Sequence, residues 1–156
     1  MTKGSWSISN NVVEFILSNL KNDSTILEFG SGEGTGILSN NYNMMSIEQN
    51  KQYVDKYNSE YLYAPIVNGW YDVDKVLSFL ENKTYDAILI DGPVGNNRIK
   101  MFSIIDKLNT GVLLIFDDID REKDMENANK FSEAVGRKLN ISKCGLFGYI
   151  LPKFDK

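Results

Sequence analysis

Residues 25–49, TILEFGSGEGTGILSNNYNMMSIEQ, constrain the fold more than any other stretch of the chain. Thr25–Phe29 is a short, apolar, β-favouring run. Gly30-Ser31-Gly32-Glu33-Gly34 follows as a turn with few side chains, then a brief helix. Residues 44–47 form a second apolar run, and Glu48 and Gln49 stand at its end. Glycine carries no Cβ, so a backbone built this way can come close to a ligand. A carboxylate about 20 residues along, at the tip of the next parallel strand, can hold ribose hydroxyls. Glu48 occupies that place relative to Glu28. The stretch therefore suits a ligand that carries a nucleoside.

A dinucleotide fingerprint reads G-x-G-x-x-G and leaves a helix N-terminus open for a pyrophosphate. Here the frame is Glu28-x-Gly30-x-Gly32-x-Gly34, one residue tighter, with an acid ahead of it on the strand. A carboxylate beside the loop repels a pyrophosphate and attracts a cation such as an amino group. The pattern E-x-G-x-G-x-G resembles the first motif of class I S-adenosylmethionine-dependent methyltransferases. Read alone, it also fits a glycine-rich surface turn of an ordinary α/β domain.

A chain of 156 residues with 42% apolar residues and 3 prolines is read as one domain, 1–156, with a buried core. No apolar run is long enough to span a bilayer. The first residues, MTKGSWSISNN, lack the apolar centre of a signal peptide, and Cys144 is the single cysteine. These features point to a cytoplasmic chain. A net charge of −4 disfavours nucleic acid, which needs a concentrated positive face. The chain has no histidine, so histidine triads and histidine metal sites are excluded. Acid–base chemistry must come from Asp, Glu, Lys, Tyr or a bound metal.

Apolar spacing predicts helices over 9–20, 35–40, 51–57, 73–80, about 101–108 and 125–139. Strands are expected at 25–29, 44–48, 64–67, 85–91, 112–116 and 146–151, with a short partner near 141–143. Residues 85–91, YDAILID, are apolar without alternation, as in a central parallel strand buried on both faces. The alternation of strands and helices predicts an α/β, doubly wound, mostly parallel sheet with helices on both faces and an antiparallel terminal strand. The resemblance thus extends over nearly the whole chain.

In such sheets, ligands bind at the carboxyl ends of the strands. The predicted strands end at Glu28 and the glycines, at Glu48, at Asn68, at Asp91, and at Asp117–Asp118. The resemblance implies S-adenosylmethionine as cofactor. Glu28 and the backbone of Gly30, Ser31, Gly32 and Gly34 would hold its methionine end. Glu48, with Gln49, would hold its ribose. Gly69, with Trp70 or Tyr71, would flank its adenine, and Asp91 would close the site. Trp6 could cover a ligand or close the core.

Asp91, Asp117 and Asp118 fall on adjacent strand ends, and carboxylates that close resist joint ionisation. A divalent cation, magnesium or calcium, would relieve this. The arrangement resembles the metal site of catechol-type and some sugar O-methyltransferases, which implies a metal that binds and orients the acceptor hydroxyl. The other reading is that these acids cap helices and position loops without metal. The catechol type has a lysine three residues after its first aspartate; here Val94 stands there, and Lys100 or Arg98 could substitute. No aromatic follows Asp91-Gly92-Pro93, so no flipped base would be stacked.

The reading is a methyltransferase acting on a small-molecule or sugar hydroxyl, with Asp91 and Asp118 as the candidate catalytic residues. The acceptor would be gripped by the N-terminal segment, the 91–100 loop, or a second subunit of a homodimer. A nicotinamide-dependent oxidoreductase and a non-catalytic S-adenosylmethionine-binding protein are the alternatives.

Overall fold

The computed structural model describes residues 10–93 and 97–153. Trp6, Ser9, Val94 and Gly95 lie outside the described residues, as does the N-terminal segment expected to grip an acceptor.

Helix α1 (Asn10–Asn19) leads into β1 (Thr25–Phe29), α2 (Glu33–Leu38) and β2 (Asn43–Glu48). Next come β3 (Glu60–Tyr63) and a small hairpin, β4 (Ile66–Val67) and β5 (Trp70–Tyr71). Helix α3 (Val73–Leu80) follows, with Asp72 as N-cap accepting the Lys75 amide at 3.4 Å. Strand β6 (Ala87–Ile90), a 3-10 segment (Arg98–Lys107), β7 (Leu113–Asp117) and α4 (Glu122–Val135) come after it. Strands β8 (Asn140–Ile141) and β9 (Phe147–Ile150) close the chain.

Among the described residues, seven strands form one sheet in the order β3-β2-β1-β6-β7-β9-β8. The pairs from β3 to β7 are parallel, and β9 runs antiparallel to both neighbours. Side chains of a strand alternate between its two faces, so each parallel strand feeds two cores. Ala87 and Leu89 pack with Val12 and Ile16 of α1 and Leu38 of α2. Ile88 and Ile90 pack on the other face with Val76 of α3, Met101 and Ile104 of the 3-10 segment, and Phe131 of α4. Coverage on both faces explains why β6 reads as an unbroken apolar run.

Four expectations need correction. The third sheet strand is β3, not 64–67. Residues 66–71 instead fold on themselves, with Val67 paired to Trp70 across the turn Asn68-Gly69. Both turn residues have positive φ, 55° and 86°, the geometry that an Asn-Gly dipeptide favours in a two-residue hairpin. Residues 51–57 form turns, not a helix: the Asn50 side chain accepts the Gln52 amide at 3.0 Å, and Asp55 is left-handed at φ 61°. The 101–108 helix is 3-10 in kind and begins at Arg98. Its buried residues Arg98, Met101 and Ile104 recur every three positions, the repeat of that helix. Helix α4 ends at Val135 because Gly136 (φ 66°) caps it and returns its amide to Ser132 and Glu133 carbonyls.

Candidate active site

Strand order reverses at β1 and β6, whose neighbours lead outward in opposite directions. The loops after these two strands nearly touch. A Cβ on Gly30 would lie 3.0 Å from the Asp91 carbonyl oxygen, and one on Gly92 would lie 3.2 Å from the Gly30 Cα. Gly30 also has φ 96°, which a side chain would strain. Beside this contact opens a cleft with room for about 210 Å³ of solvent. Gly30, Ser31, Glu48, Gln49, Asp91, Gly92 and Asp118 line it, together with Asn50, Tyr53, Arg98 and Arg121.

Glu48 is 5% exposed. Its Oε1 accepts the Ser31 amide at 2.8 Å and its Oε2 the Asn50 amide at 2.7 Å. Burial pushes its pKa above the ordinary carboxylate value, and the amides of Asn50, Ser31 and Gln49 pull the other way.

Glu28 lies beneath the glycine turn and does not line the cleft. Its Oε2 accepts from Thr35 Oγ1 at 2.6 Å and from Ser46 Oγ at 2.5 Å. Because Thr35 donates to Glu28, it accepts from Ser31 Oγ at 3.0 Å, and Ser31 in turn accepts from Tyr61 OH at 2.8 Å. Burial, opposed by the Ser46 and Thr35 hydroxyls, lifts Glu28 to about 8. The carboxyl is therefore mostly protonated at neutral pH. Its role in the structure is to brace the turn from below through α2 and β2.

Gly32 and Gly34 serve α2, Gly32 as its N-cap and Gly34 buried within it. Gly69 is in the hairpin turn. Trp70 is 2% exposed and sits in the core, its ring 5.8 Å from Phe29 and 5.2 Å from Tyr71. Neither residue lines the cleft; Trp70 borders a separate pocket beside Lys100, whose Nζ donates to the Asn68 carbonyl at 2.6 Å.

One carboxylate oxygen from each of Asp91, Asp117 and Asp118 lies within 4.8 Å of the others. Asp118 has φ 61°, uncommon for a residue with a side chain. By oxygen type and spacing the three suit a hard divalent cation. Two of the three carboxylates, those of Asp91 and Asp118, however, already face a guanidinium. Arg98 is 4% exposed; its Nη2 lies 3.1 Å from Asp118 Oδ2 and 3.8 Å from Asp91 Oδ1. Arg121 Nη2 lies 3.1 Å from Asp118 Oδ2 as well. Arg98 so placed puts a positive charge beside two of the three carboxylates that would hold a divalent ion.

No protein-family model matches the chain, and no curated protein sequence does. Solved structures do match. An O-methyltransferase from Bacillus cereus in complex with SAH aligns over 95% of this chain and 84% of its own at TM-score 0.63, with 17% identity. Precorrin 8W decarboxylase from Methanobacterium thermoautotrophicum aligns over 99% and 97% at TM-score 0.66, also with 17% identity. The fold is that of class I methyltransferases. MycE methyltransferase from the mycinamycin biosynthetic pathway, in complex with Mg, SAH and mycinamycin VI, shares the class I methyltransferase fold at TM-score 0.58 and 11% identity, over 92% of this chain and 48% of its own.

Three cleft residues, Asn50, Tyr53 and Arg121, escaped the sequence reading as ligand contacts, and Arg98 entered it only as a candidate base. Asn50 and Tyr53 sit in the turns that replace the expected 51–57 helix. Arg98 and Arg121 flank the aspartates from the 3-10 segment and from the turn before α4. The signal for Arg98 was its spacing: it stands three and six residues before the apolar Met101 and Ile104.

Proposed function

We propose that this chain is an S-adenosylmethionine-dependent methyltransferase that methylates a hydroxyl of a small molecule or sugar. One observation carries the reading. A buried carboxylate, Glu48, stands at the tip of β2 on the same cleft as the Gly30–Ser31 turn and Asp91. Glu48 Oε1 accepts the Ser31 amide and Oε2 the Asn50 amide, which fixes the carboxylate at the cleft wall, where it can accept from a ribose hydroxyl. The Gly30 turn offers backbone without a Cβ for the methionine end, and Glu28 holds that turn in shape from beneath.

The bound cofactor supplies an electrophilic methyl group on a sulfonium. Methyl transfer is an in-line displacement, so the chain's main task is to position two reactants and exclude water. Asp91 and Asp118 line the cleft at the tips of β6 and β7, where this reading puts the acceptor. Arg98 cannot serve as the base proposed for its loop, because a guanidinium keeps its proton. No helix among the described residues is long and apolar enough to cross a membrane, and the acidic balance of the chain favours a small acceptor over nucleic acid.

Calorimetric titration of S-adenosylhomocysteine into the full chain tests the reading, with NADH titrated in parallel. Saturable binding near one site per chain is expected, with no heat from NADH. Binding of NADH alone would transfer the fold to redox chemistry and end the proposal.

A further inference from the structure

Arg98 touches every residue of the aspartate cluster. Its Nη2 donates to the Asp91 carbonyl at 2.9 Å and to Asp118 Oδ2 at 3.1 Å. Its Nη1 donates to the Asp117 carbonyl at 3.2 Å, and its Nε lies 3.7 Å from Asp124 Oδ1. Asp124 is itself 3% exposed and accepts Arg121 Nε at 2.7 Å. One planar cation thus joins the loop after β6, the end of β7 and the first turn of α4.

A metal ion held by this cluster would draw on the carboxylates of Asp91 and Asp118, whose oxygens lie 3.8 Å and 3.1 Å from Arg98 Nη2. Divalent cations of this class bind carboxylates at about 2.0–2.6 Å, so an ion on Asp91 and Asp118 would sit within about 5 Å of the guanidinium. Arginine cannot relieve that repulsion by losing a proton, as a buried lysine could. Nor can it swing freely aside: its stem lies on the buried row with Met101 and Ile104, and its donors are engaged on three sides.

We infer that Arg98 is a resident cation standing in the place of a divalent metal, so that this site works without one, and that Arg98 is the positioning residue that sets Asp91 and Asp118 at the acceptor end of the cleft. The catalytic part of this inference rests on the methyltransferase reading; the exclusion of metal does not.

The test is a Mn²⁺ titration of the full chain followed by electron paramagnetic resonance. Wild type, Asp118→Asn, Arg98→Met, Arg98→Lys and the Arg98→Met/Asp118→Asn pair are compared. Wild type is expected to leave Mn²⁺ free. Arg98→Met, which removes the buried guanidinium and leaves the half-exposed Arg121 on Asp118, should gain one site at least about tenfold tighter, lost again when Asp118 becomes Asn. Arg98→Lys should exclude Mn²⁺ less than wild type and more than Arg98→Met, with the exclusion lost as pH rises, because its ammonium can give up a proton and a guanidinium cannot; a purely structural role would not produce that pH dependence. Stoichiometric Mn²⁺ binding by wild type that Asp118→Asn removes would overturn the inference. So would a folded Arg98→Met that binds no Mn²⁺. Should Arg98→Met fail to fold, the wild-type and Asp118→Asn titrations decide alone. S-adenosylhomocysteine is titrated alongside, with Mg²⁺ and with a chelator. Equal affinity in both supports the inference. Failure to bind at all would remove the methyltransferase reading and leave the metal result standing.

Discussion

Glu48 Oε1 accepts the Ser31 amide at 2.8 Å, so the acid at the tip of β2 is tied to the glycine turn at the tip of β1. The bond orients the carboxylate and shapes the turn together. Hydrogen bonds to charged groups contribute about 1.5–3 kcal/mol each. Glu48→Ala should therefore weaken S-adenosylhomocysteine about 100-fold, and Glu48→Gln, which keeps an acceptor oxygen, about tenfold. Calorimetry on both variants checks this, with circular dichroism to establish that they fold. Undiminished affinity in a folded Glu48→Ala would move the ligand away from β2.

Gly30 and Gly145 separate close approach from backbone strain. Both have positive φ, 96° and 75°. A Cβ at Gly30 meets the Asp91 carbonyl at 3.0 Å, whereas one at Gly145 meets nothing within 4 Å. Gly145→Ala should cost about 1 kcal/mol, and Gly30→Ala about 2–4 kcal/mol, because only there must backbone move. Denaturant unfolding of the two variants gives the comparison. Equal losses would mean the Gly30–Asp91 contact yields freely.

The mostly parallel sheet was legible because buried parallel strands such as Ala87–Ile90 and Leu113–Asp117 leave an apolar run that little else produces. The acids after them were legible for the same reason: they stand where those runs stop. What failed depended on shorter signals. Asn68-Gly69 was read as the end of a parallel strand, although that dipeptide marks a hairpin. The 51–57 segment has apolar residues at helical spacing, but Asn50 and Asp55 turn it aside. Arg98 could not be assigned from sequence. Its partners Asp91, Asp118 and Asp124 come from three elements, and only the folded sheet brings them together.

Trp70 offers a test of which wall carries the cofactor. The residue is buried against Phe29 and Tyr71, and its indole N–H has no hydrogen-bond partner among the described residues. It lies outside the cleft of Glu48. Trp70→Phe keeps most of the apolar contact and removes an orphan donor, so stability should change by less than about 1.5 kcal/mol. Trp70→Ala should cost about 3–5 kcal/mol. Affinity of folded Trp70→Phe for S-adenosylhomocysteine should stay within about twofold of wild type. A loss beyond about tenfold would restore Trp70 as an adenine plate.

Glu28 should make the fold weaker as pH rises. Burial, against the opposing Ser46 and Thr35 hydroxyls, raises its pKa from an ordinary 4.5 to about 8. Between those values the folded chain holds a proton that the unfolded chain has released. Stability from this group is then fully present below about 4.5, declines through neutrality and is lost above about 8. At 1.36 kcal/mol per unit the whole swing is of the order of 3–5 kcal/mol. Glu28→Gln presents the same shape, with one oxygen still able to accept from Thr35 and Ser46, and cannot ionise. Urea unfolding at pH 5 and at pH 8.5 should show the variant gaining on wild type by a few kcal/mol across that interval. Parallel curves for the two proteins would mean that Glu28 stays ionised beneath the turn, and that its hydroxyl partners, not a proton, carry the cost of burial.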